Sequence, residues 1–173
     1  MQSGRANKIE EFNALSEEMA RVELLRCCGS QRWVEQMTQK RPFASCEQIF
    51  TAAGDIWYKL SSEDWLEAFS HHPKIGDLDS LKAKFGNTRA WAAAEQKGVS
   101  GASEEVLEDL ARANEEYESK FGYIFIVCAT GKSAGEMLSI LKSRLANDPA
   151  TELAVAAQEQ AKITKIRLEK LFT

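Results

Sequence analysis

Tyr123-Ile124-Phe125-Ile126-Val127-Cys128-Ala129 is the stretch on which the fold class turns. Its β-branched and aromatic residues favour an extended strand. It is apolar on both sides and so must be buried, yet one lone strand cannot make a sheet. Either it runs extended through a helical core, or its surroundings override it into helix. Extended geometry for at least part of it is the expectation. Its backbone N–H and C=O groups then need partners, and a bound ligand could supply them.

Everything around this stretch reads as helix. Upstream, Ser103 with Glu104 and Glu105 caps a long helix whose inner face carries Val106, Leu107, Leu110, Asn114, Tyr117 and Phe121, and Gly122 ends it. Downstream, Ser133 begins a helix through Met137, Leu138, Ile140, Leu141 and Leu145. Asn147-Asp148-Pro149 is a break, and Thr151 opens a last helix running nearly to Phe172, with Leu153, Ala157, Ile163, Ile166 and Leu171 apolar.

In the N-terminal half, Ser16 before Glu17 and Glu18 opens a helix with Leu24, Leu25 and Cys28 on its inner side, and Gly29 stops it. A short helix follows around Trp33 to Met37, broken by Arg41-Pro42-Phe43. Ser45 caps an amphipathic run in which Ile49, Phe50, Ala53, Ile56, Trp57 and Leu60 recur at helical spacing. Ser61 or Ser62 starts another, with Trp65, Leu66 and Phe69 inward, which runs into His71-His72-Pro73. Residues 74–88 read as loop with one helical turn near Leu81 to Phe85, Trp91 to Lys97 as helix, and Gly98 to Gly101 as a break. No repeat, linker or low-complexity segment stands out. The sum is an all-α, single-domain, multi-helix bundle over residues 1–173, with one buried extended segment near 123–129.

A chain of 173 residues and 19.3 kDa with 44% hydrophobic residues is large enough to bury a real core. Its formal net charge of −4 is spread over mixed acidic and basic residues without a basic stripe, which argues against a nucleic-acid partner. No apolar run is long enough to span a membrane. Arg5 and Lys8 are followed by no apolar block, so no secretory signal is expected. Leu171-Phe172-Thr173 is no peroxisomal address. Cytoplasmic residence is the expectation. Cys27, Cys28, Cys46 and Cys128 form no CxxC pair and have no histidine at zinc-finger spacing. Buried thiols and no structural metal are expected.

Both histidines of the chain stand side by side in His71-His72-Pro73-Lys74-Ile75-Gly76. Imidazole is the side chain that most readily exchanges a proton near neutrality. Pro73 biases His72 out of the α region, which breaks the helix and turns the imidazole off its surface. A bare helix stop would look the same. Two further groups weigh against that plain reading. Glu95 and Gln96, near the end of the Trp91–Lys97 helix, pair a carboxylate with a carboxamide; alone they are ordinary surface material, but together they suit a urea or ring-amide substrate. The 123–129 segment then runs into Thr130-Gly131-Lys132-Ser133. This is no phosphate loop, because Ile126 stands where the first glycine belongs. Lys132 could still favour an anion beside the next helix. Cys128 reads as a packed thiol rather than a nucleophile. Trp33, Trp57, Trp65 and Trp91 read as core or pocket walls. Arg89 and Arg144 could clamp a carboxylate, but read first as solvated surface charges.

Taken together, these segments resemble the 2-oxo-4-hydroxy-4-carboxy-5-ureidoimidazoline (OHCU) decarboxylases. His71-His72-Pro73-Lys74-Ile75-Gly76 resembles that family's His-Pro signature, and Glu95-Gln96 before a glycine its Glu-Gln motif. Phe121-Gly122-Tyr123-Ile124-Phe125-Ile126-Val127-Cys128-Ala129 resembles its Phe-Gly-aromatic-x-Phe-Ile-Val-Cys-Ala segment. Trp33 with Arg41-Pro42-Phe43, Asn114 with Tyr117, and Asn147-Asp148-Pro149 before Glu152-Leu153 and Lys162-Ile163 fit in the same order. The resemblance spans nearly the whole chain. It implies an all-helical homodimer and a cofactor-free carboxy-lyase that makes (S)-allantoin in urate breakdown, with a small-molecule substrate as its partner. His72 takes the catalytic position. Glu95 and Gln96 meet the ring and ureido groups, with Glu95 also counted as catalytic. Pro73 lines the site, and Phe125, Ile126, Val127, Cys128 and Ala129 offer backbone contacts. Where family members often carry serine, this chain has Ala92, so only a backbone contact remains there. The missing peroxisomal tail fits a bacterial cytoplasmic enzyme. The rival readings are a helical binding module without catalysis and a hydrolase using Cys128 with His72.

Overall fold

Serine caps set the frame. Ser16, Ser30, Ser45, Ser61, Ser103 and Ser133 each accept, on the side-chain oxygen, the amide three residues on. Each bond satisfies one of the donors that a helix start leaves open. The computed structural model describes residues 2–73, residue 79 and residues 103–173. The expected loop at 74–88, the helix at Trp91–Lys97 and the break at Gly98–Gly101 lie outside the described residues, and with them Ala92, Glu95, Gln96, Trp91 and Arg89.

The described residues form eight helices: α1 (Gln2–Ala14), α2 (Glu17–Cys27), α3 (Gln31–Gln39), α4 (Cys46–Trp57), α5 (Ser62–Ser70), α6 (Glu104–Phe121), α7 (Ala134–Arg144) and α8 (Pro149–Phe172). Among them there is no strand, so the described chain is all-α as the sequence predicts. Two compact units emerge, one of residues 1–72 with 156–173, the other of residues 73–155. Helix α8 contributes to both.

In the first unit, Leu24, Trp33, Met37, Ile49, Phe69, Leu168 and Phe172 are fully buried. Three indoles also brace the backbone. Trp33 Nε1 donates to Ala53 O at 3.1 Å, Trp57 Nε1 to Ala157 O at 2.9 Å and Trp65 Nε1 to Trp57 O at 2.9 Å. A buried indole with a satisfied N–H combines large apolar area with a directional tie. Helix α1 has no counterpart in the sequence reading. It is held by Phe12, whose ring meets Phe172 edge-on at 5.2 Å, and by Arg41 Nη1, which donates to Phe12 O and Leu15 O at 3.1 and 2.9 Å.

Four expectations need correction. Leu66, expected inward on α5, is exposed at 39%. Cys28 is not helical; it is the extended residue that ends α2, with φ −147° and ψ 127°, and it is buried. Pro149 does not end structure but is the first residue of α8, where its missing N–H costs nothing. Asp148 caps that helix by accepting the amides of Ala150 and Thr151 at 3.1 and 3.0 Å. The buried stripe of α8 is not the expected apolar set. Leu153, Ile163, Ile166 and Leu171 are only half-buried, whereas Glu152, Ala156, Ala157, Gln160, Thr164, Leu168 and Phe172 are buried. The polar members of that stripe lead to the two centres described next.

Candidate active site

Helix α5 starts on a capping box, Ser61 with Asp64, and ends where His71 and His72 donate their amides to Ala68 O and Phe69 O at 3.3 and 3.1 Å. His71 is exposed, and it packs over Gly29. A Cβ on Gly29 would lie 2.6 Å from both Cβ and Cγ of His71, so this approach needs a glycine. Pro73 is exposed.

His72 turns the other way and is half-buried, with its Nε2 2.5 Å from Gln160 Oε1. Burial lowers the imidazole pKa below the ordinary 6.5, which the Gln160 bond partly offsets and the nearby Arg167 and His71 reinforce. The group is therefore neutral at pH 7, able to take up a proton rather than already holding one. Gln160, fully buried, donates its Nε2 to Thr164 Oγ1 at 3.1 Å. Arg167, half-buried, reaches Cys27 O at 3.5 Å. Gln160, Thr164 and Arg167 recur at helical spacing on α8. None of the three stands out from the sequence alone; their one signal is polar residues at i, i+4 and i+7 in a helix otherwise rich in alanine.

In the second unit the 123–129 segment has neither helix nor strand assignment over residues 124–129. Burial alternates along it, with Ile126 at 2% and Cys128 at 8% exposure and Phe125, Val127 and Ala129 half-buried. That period of two is the mark of extended chain. The expectation of extended geometry is met, while complete burial is not. Phe125, Val127 and Ala129 pack against the core of Leu107, Leu110, Tyr117, Met137 and Leu141.

Two of the segment's carbonyls find cationic partners. Arg144 Nη1 donates to Ile126 O at 2.6 Å and Lys132 Nζ to Cys128 O at 2.8 Å. Among the described residues, the amides of Phe125, Ile126 and Val127 donate to no acceptor. Lys132 is therefore not poised for an anion beside α7. That helix start is closed by its own capping box, with Glu136 accepting the Ser133 amide at 2.7 Å.

Arg144 is no surface charge either. It is 6% exposed, lies 4.6 Å from the Phe125 ring centre, and donates from Nε and Nη2 to Glu152 Oε1 at 2.8 and 2.5 Å. Tyr117 Oη and Asn147 Nδ2, the latter at 2.8 Å, also donate to the fully buried Glu152. Burial drives the Tyr117 phenol pKa up, and the Glu152 bond adds to it, so Tyr117 stays a donor throughout the working range. This cluster holds the 124–129 backbone in place. Burial likewise pushes the Cys27 and Cys28 thiols up to about 11 and about 12, which leaves them un-ionised; Cys27, Cys28 and Cys128 are buried as expected, whereas Cys46 is only half-buried.

A cavity of about 380 Å³ between α4 and α8 is lined by Phe50, Trp57, Tyr58, Thr164, Lys165 and Leu168 among others, and His72 is not in its wall. No group of three or more metal-ligating side chains occurs among the described residues. No helix among them is long and apolar enough to cross a membrane.

A family model for OHCU decarboxylase matches residues 13–169. The uric acid degradation bifunctional protein TTL of Arabidopsis thaliana is 43% identical over 148 residues, which are 85% of this chain and 45% of that protein. The uric acid degradation bifunctional protein of Bacillus sp. strain TB-90 is 27% identical over 162 residues, 90% of this chain and 31% of that protein. The chain thus spans less than half the length of either relative. An OHCU decarboxylase crystallised in the presence of (S)-allantoin superposes with a TM-score of 0.69 at 40% identity, covering 87% of this chain and 96% of the other. With the matched span taking in the His-Pro turn, the extended segment and most of the last helix, the chain belongs to the OHCU decarboxylase family.

Proposed function

We propose that the chain is a cofactor-independent carboxy-lyase that converts 2-oxo-4-hydroxy-4-carboxy-5-ureidoimidazoline to (S)-allantoin in urate breakdown. The observation that carries the reading is the half-buried, neutral imidazole of His72, held on Gln160 where α5 stops, in a chain matched to this family over most of its length. We further propose that residues 1–173 work as one domain, as a homodimer and in the cytoplasm.

The chemistry asks little of a protein but asks it in the right geometry. In this substrate the carbon bearing the carboxylate also bears a hydroxyl, and the neighbouring ring carbon is doubly bonded to nitrogen. When carbon dioxide leaves, the bonding pair forms a carbon–carbon double bond and the C=N electrons move onto nitrogen, which takes a proton. The hydroxyl then loses its proton to become the carbonyl, and the ureido-bearing carbon gains one. The ring is the electron sink, so pyridoxal or a metal is not needed.

His72 accepts the hydroxyl proton and takes part in its return, a role suited to a neutral imidazole. Glu95 accepts ring N–H bonds and fixes ring protonation. Gln96 and backbone groups from Phe125 to Ala129 read the lactam and ureido groups, supported by the amides of Phe125, Ile126 and Val127, which donate to no acceptor among the described residues; Pro73 and the Ala92 backbone complete the wall. Arg167, a half-buried cation close to His72, suits the departing carboxylate.

Freshly generated urate oxidation product, mixed with the protein and followed by circular dichroism, tests the reading. The expected result is chiral allantoin forming faster than spontaneous decay and with one hand in excess. Binding without acceleration would instead identify a helical binding module. Turnover abolished by thiol alkylation would favour the Cys128 hydrolase.

A further inference from the structure

Three of the buried positions of α8 carry polar side chains that apolar residues could have filled. Glu152 is accounted for by Arg144, Tyr117 and Asn147. Gln160 and Thr164 are not needed by any such cluster. Gln160 is fully buried and Thr164 is 5% exposed, and burying an amide or hydroxyl is unfavourable unless its hydrogen bonds are made. Here they are made in one file. Gln160 Oε1 meets His72 Nε2 at 2.5 Å and Gln160 Nε2 donates to Thr164 Oγ1 at 3.1 Å. All three residues belong to the first unit, and the file runs from the half-buried imidazole to the buried Thr164 hydroxyl.

We propose that Gln160 is the positioning residue of His72: its carbonyl oxygen accepts the Nε2–H of the imidazole and so leaves Nδ1 as the nitrogen that receives the proton. The catalytic meaning of this rests on the reading of His72 given above; the tautomer itself does not. An acyclic amide oxygen has no proton to give, so the ring nitrogen facing it must carry one. The partner that orients a ring nitrogen sets which nitrogen is basic. A carboxylate in that place would orient the ring equally well but would favour imidazolium. The charged and titratable groups that act on His72 among the described residues are Arg167 on α8 and the adjoining His71, and both disfavour imidazolium. A neutral carboxamide completes that set: it orients the base without charging it. Thr164 meets the other end of the amide, accepting from Gln160 Nε2.

With two histidines in the chain, the imidazole nitrogens are directly readable. The full-length protein labelled with ¹⁵N-histidine, in a long-range nitrogen–proton correlation above pH 7.5 and assigned with His71→Asn, is expected to show His72 with protonated Nε2 and pyridine-like Nδ1. Gln160→Leu should move His72 toward a mixture of the two tautomers. It should also lower kcat at least tenfold while KM changes less than threefold. Gln160→Glu should restore the Nε2–H form and raise the His72 titration midpoint by about one unit or more, with the acid limb of kcat/KM moving up in step. A Gln160→Leu protein that folds poorly does not remove the test, because the wild-type spectrum and the Gln160→Glu shift both bear on it. An Nδ1–H tautomer in the wild type would overturn the proposal. So would an unchanged tautomer in Gln160→Leu, or a Gln160→Glu midpoint that stays put. The spectra need no substrate, so absence of turnover would count against the assigned reaction and not against the tautomer.

Discussion

Replacing Glu152 with glutamine keeps the side-chain shape and removes the charge, and the surroundings of this residue say what that should cost. Glu152 is fully buried and receives donors from Arg144 Nε, Arg144 Nη2, Tyr117 Oη and Asn147 Nδ2. A carboxylate has about four lone-pair sites for four donors; a carboxamide has two and brings two donors of its own. The variant therefore strands hydrogen-bond donors and leaves the Arg144 guanidinium, 6% exposed, without its counter-charge. Breaking a buried pair from one side costs about 3–5 kcal/mol. At roughly 2–4 °C per kcal/mol for a chain of this size, Tm should fall by about 6–20 °C.

Thermal unfolding followed by far-UV circular dichroism, with urea titration for the free energy, measures the loss. The matched experiment is a double-mutant cycle with Arg144→Met and Glu152→Leu. Removing both charges leaves no uncompensated ion, so the double variant should be more stable than the summed single losses allow, by about 1–3 kcal/mol. Its remaining deficit should come from the partners left at Tyr117, Asn147 and Ile126 O. A Glu152→Gln loss below about 1 kcal/mol, or strictly additive single variants, would refute this account of the cluster as a buried ion pair.

Other expectations follow from the same geometry. His72→Ala should lower kcat/KM by about a hundred- to ten-thousand-fold, the usual worth of a placed acid–base group, while the protein stays folded and Tm falls by about 2–12 °C, the cost of about 1–3 kcal/mol for leaving the buried Gln160 carbonyl unpaired; Glu95→Ala should do comparable damage to turnover. The His72 pKa lies below its unfolded value of 6.5, so the unfolded chain takes up this proton first as the pH falls. The contribution of His72 to stability should be present above pH 6.5 and be lost on acidification through its folded pKa, and His72→Asn should flatten that part of a stability–pH curve. The acid limb of kcat/KM should likewise fall below pH 6.5. Gly29→Ala places a methyl group 2.6 Å from His71 Cβ, so it should shift the His-Pro turn, and both Tm and turnover should drop in the purified variant.

Much of the scaffold was legible because its signals are local. Ser16, Ser45, Ser61, Ser103 and Ser133 all cap helices where a serine before acidic residues or an apolar period predicts it, and Gly122 ends α6 at φ 80°. The 124–129 segment stayed out of the helices around it, as its β-branched content suggests. Helix α1 was not legible, since Gln2–Ala14 has little apolar periodicity and owes its place to Phe12 and to Arg41 from a distant loop. The burial of Arg144, Glu152, Gln160 and Thr164 was not legible either. Each is a polar residue whose burial depends on partners far away in sequence, and periodicity ranks Leu153 or Ile163 ahead of it. Of the candidate site, the His-Pro turn and the extended segment could be read from residue order, whereas the side chains that orient them could not.

We propose that His72 carries the proton during decarboxylation. The most direct test of that role is the rate and handedness of allantoin formation from fresh ureidoimidazoline, followed by circular dichroism with wild type and His72→Ala side by side at equal, verified folding. The expected result is a rapid one-handed signal from the wild type and a slow trace near the spontaneous course from the variant. A variant that matches the wild type in rate and in stereochemical excess would contradict it.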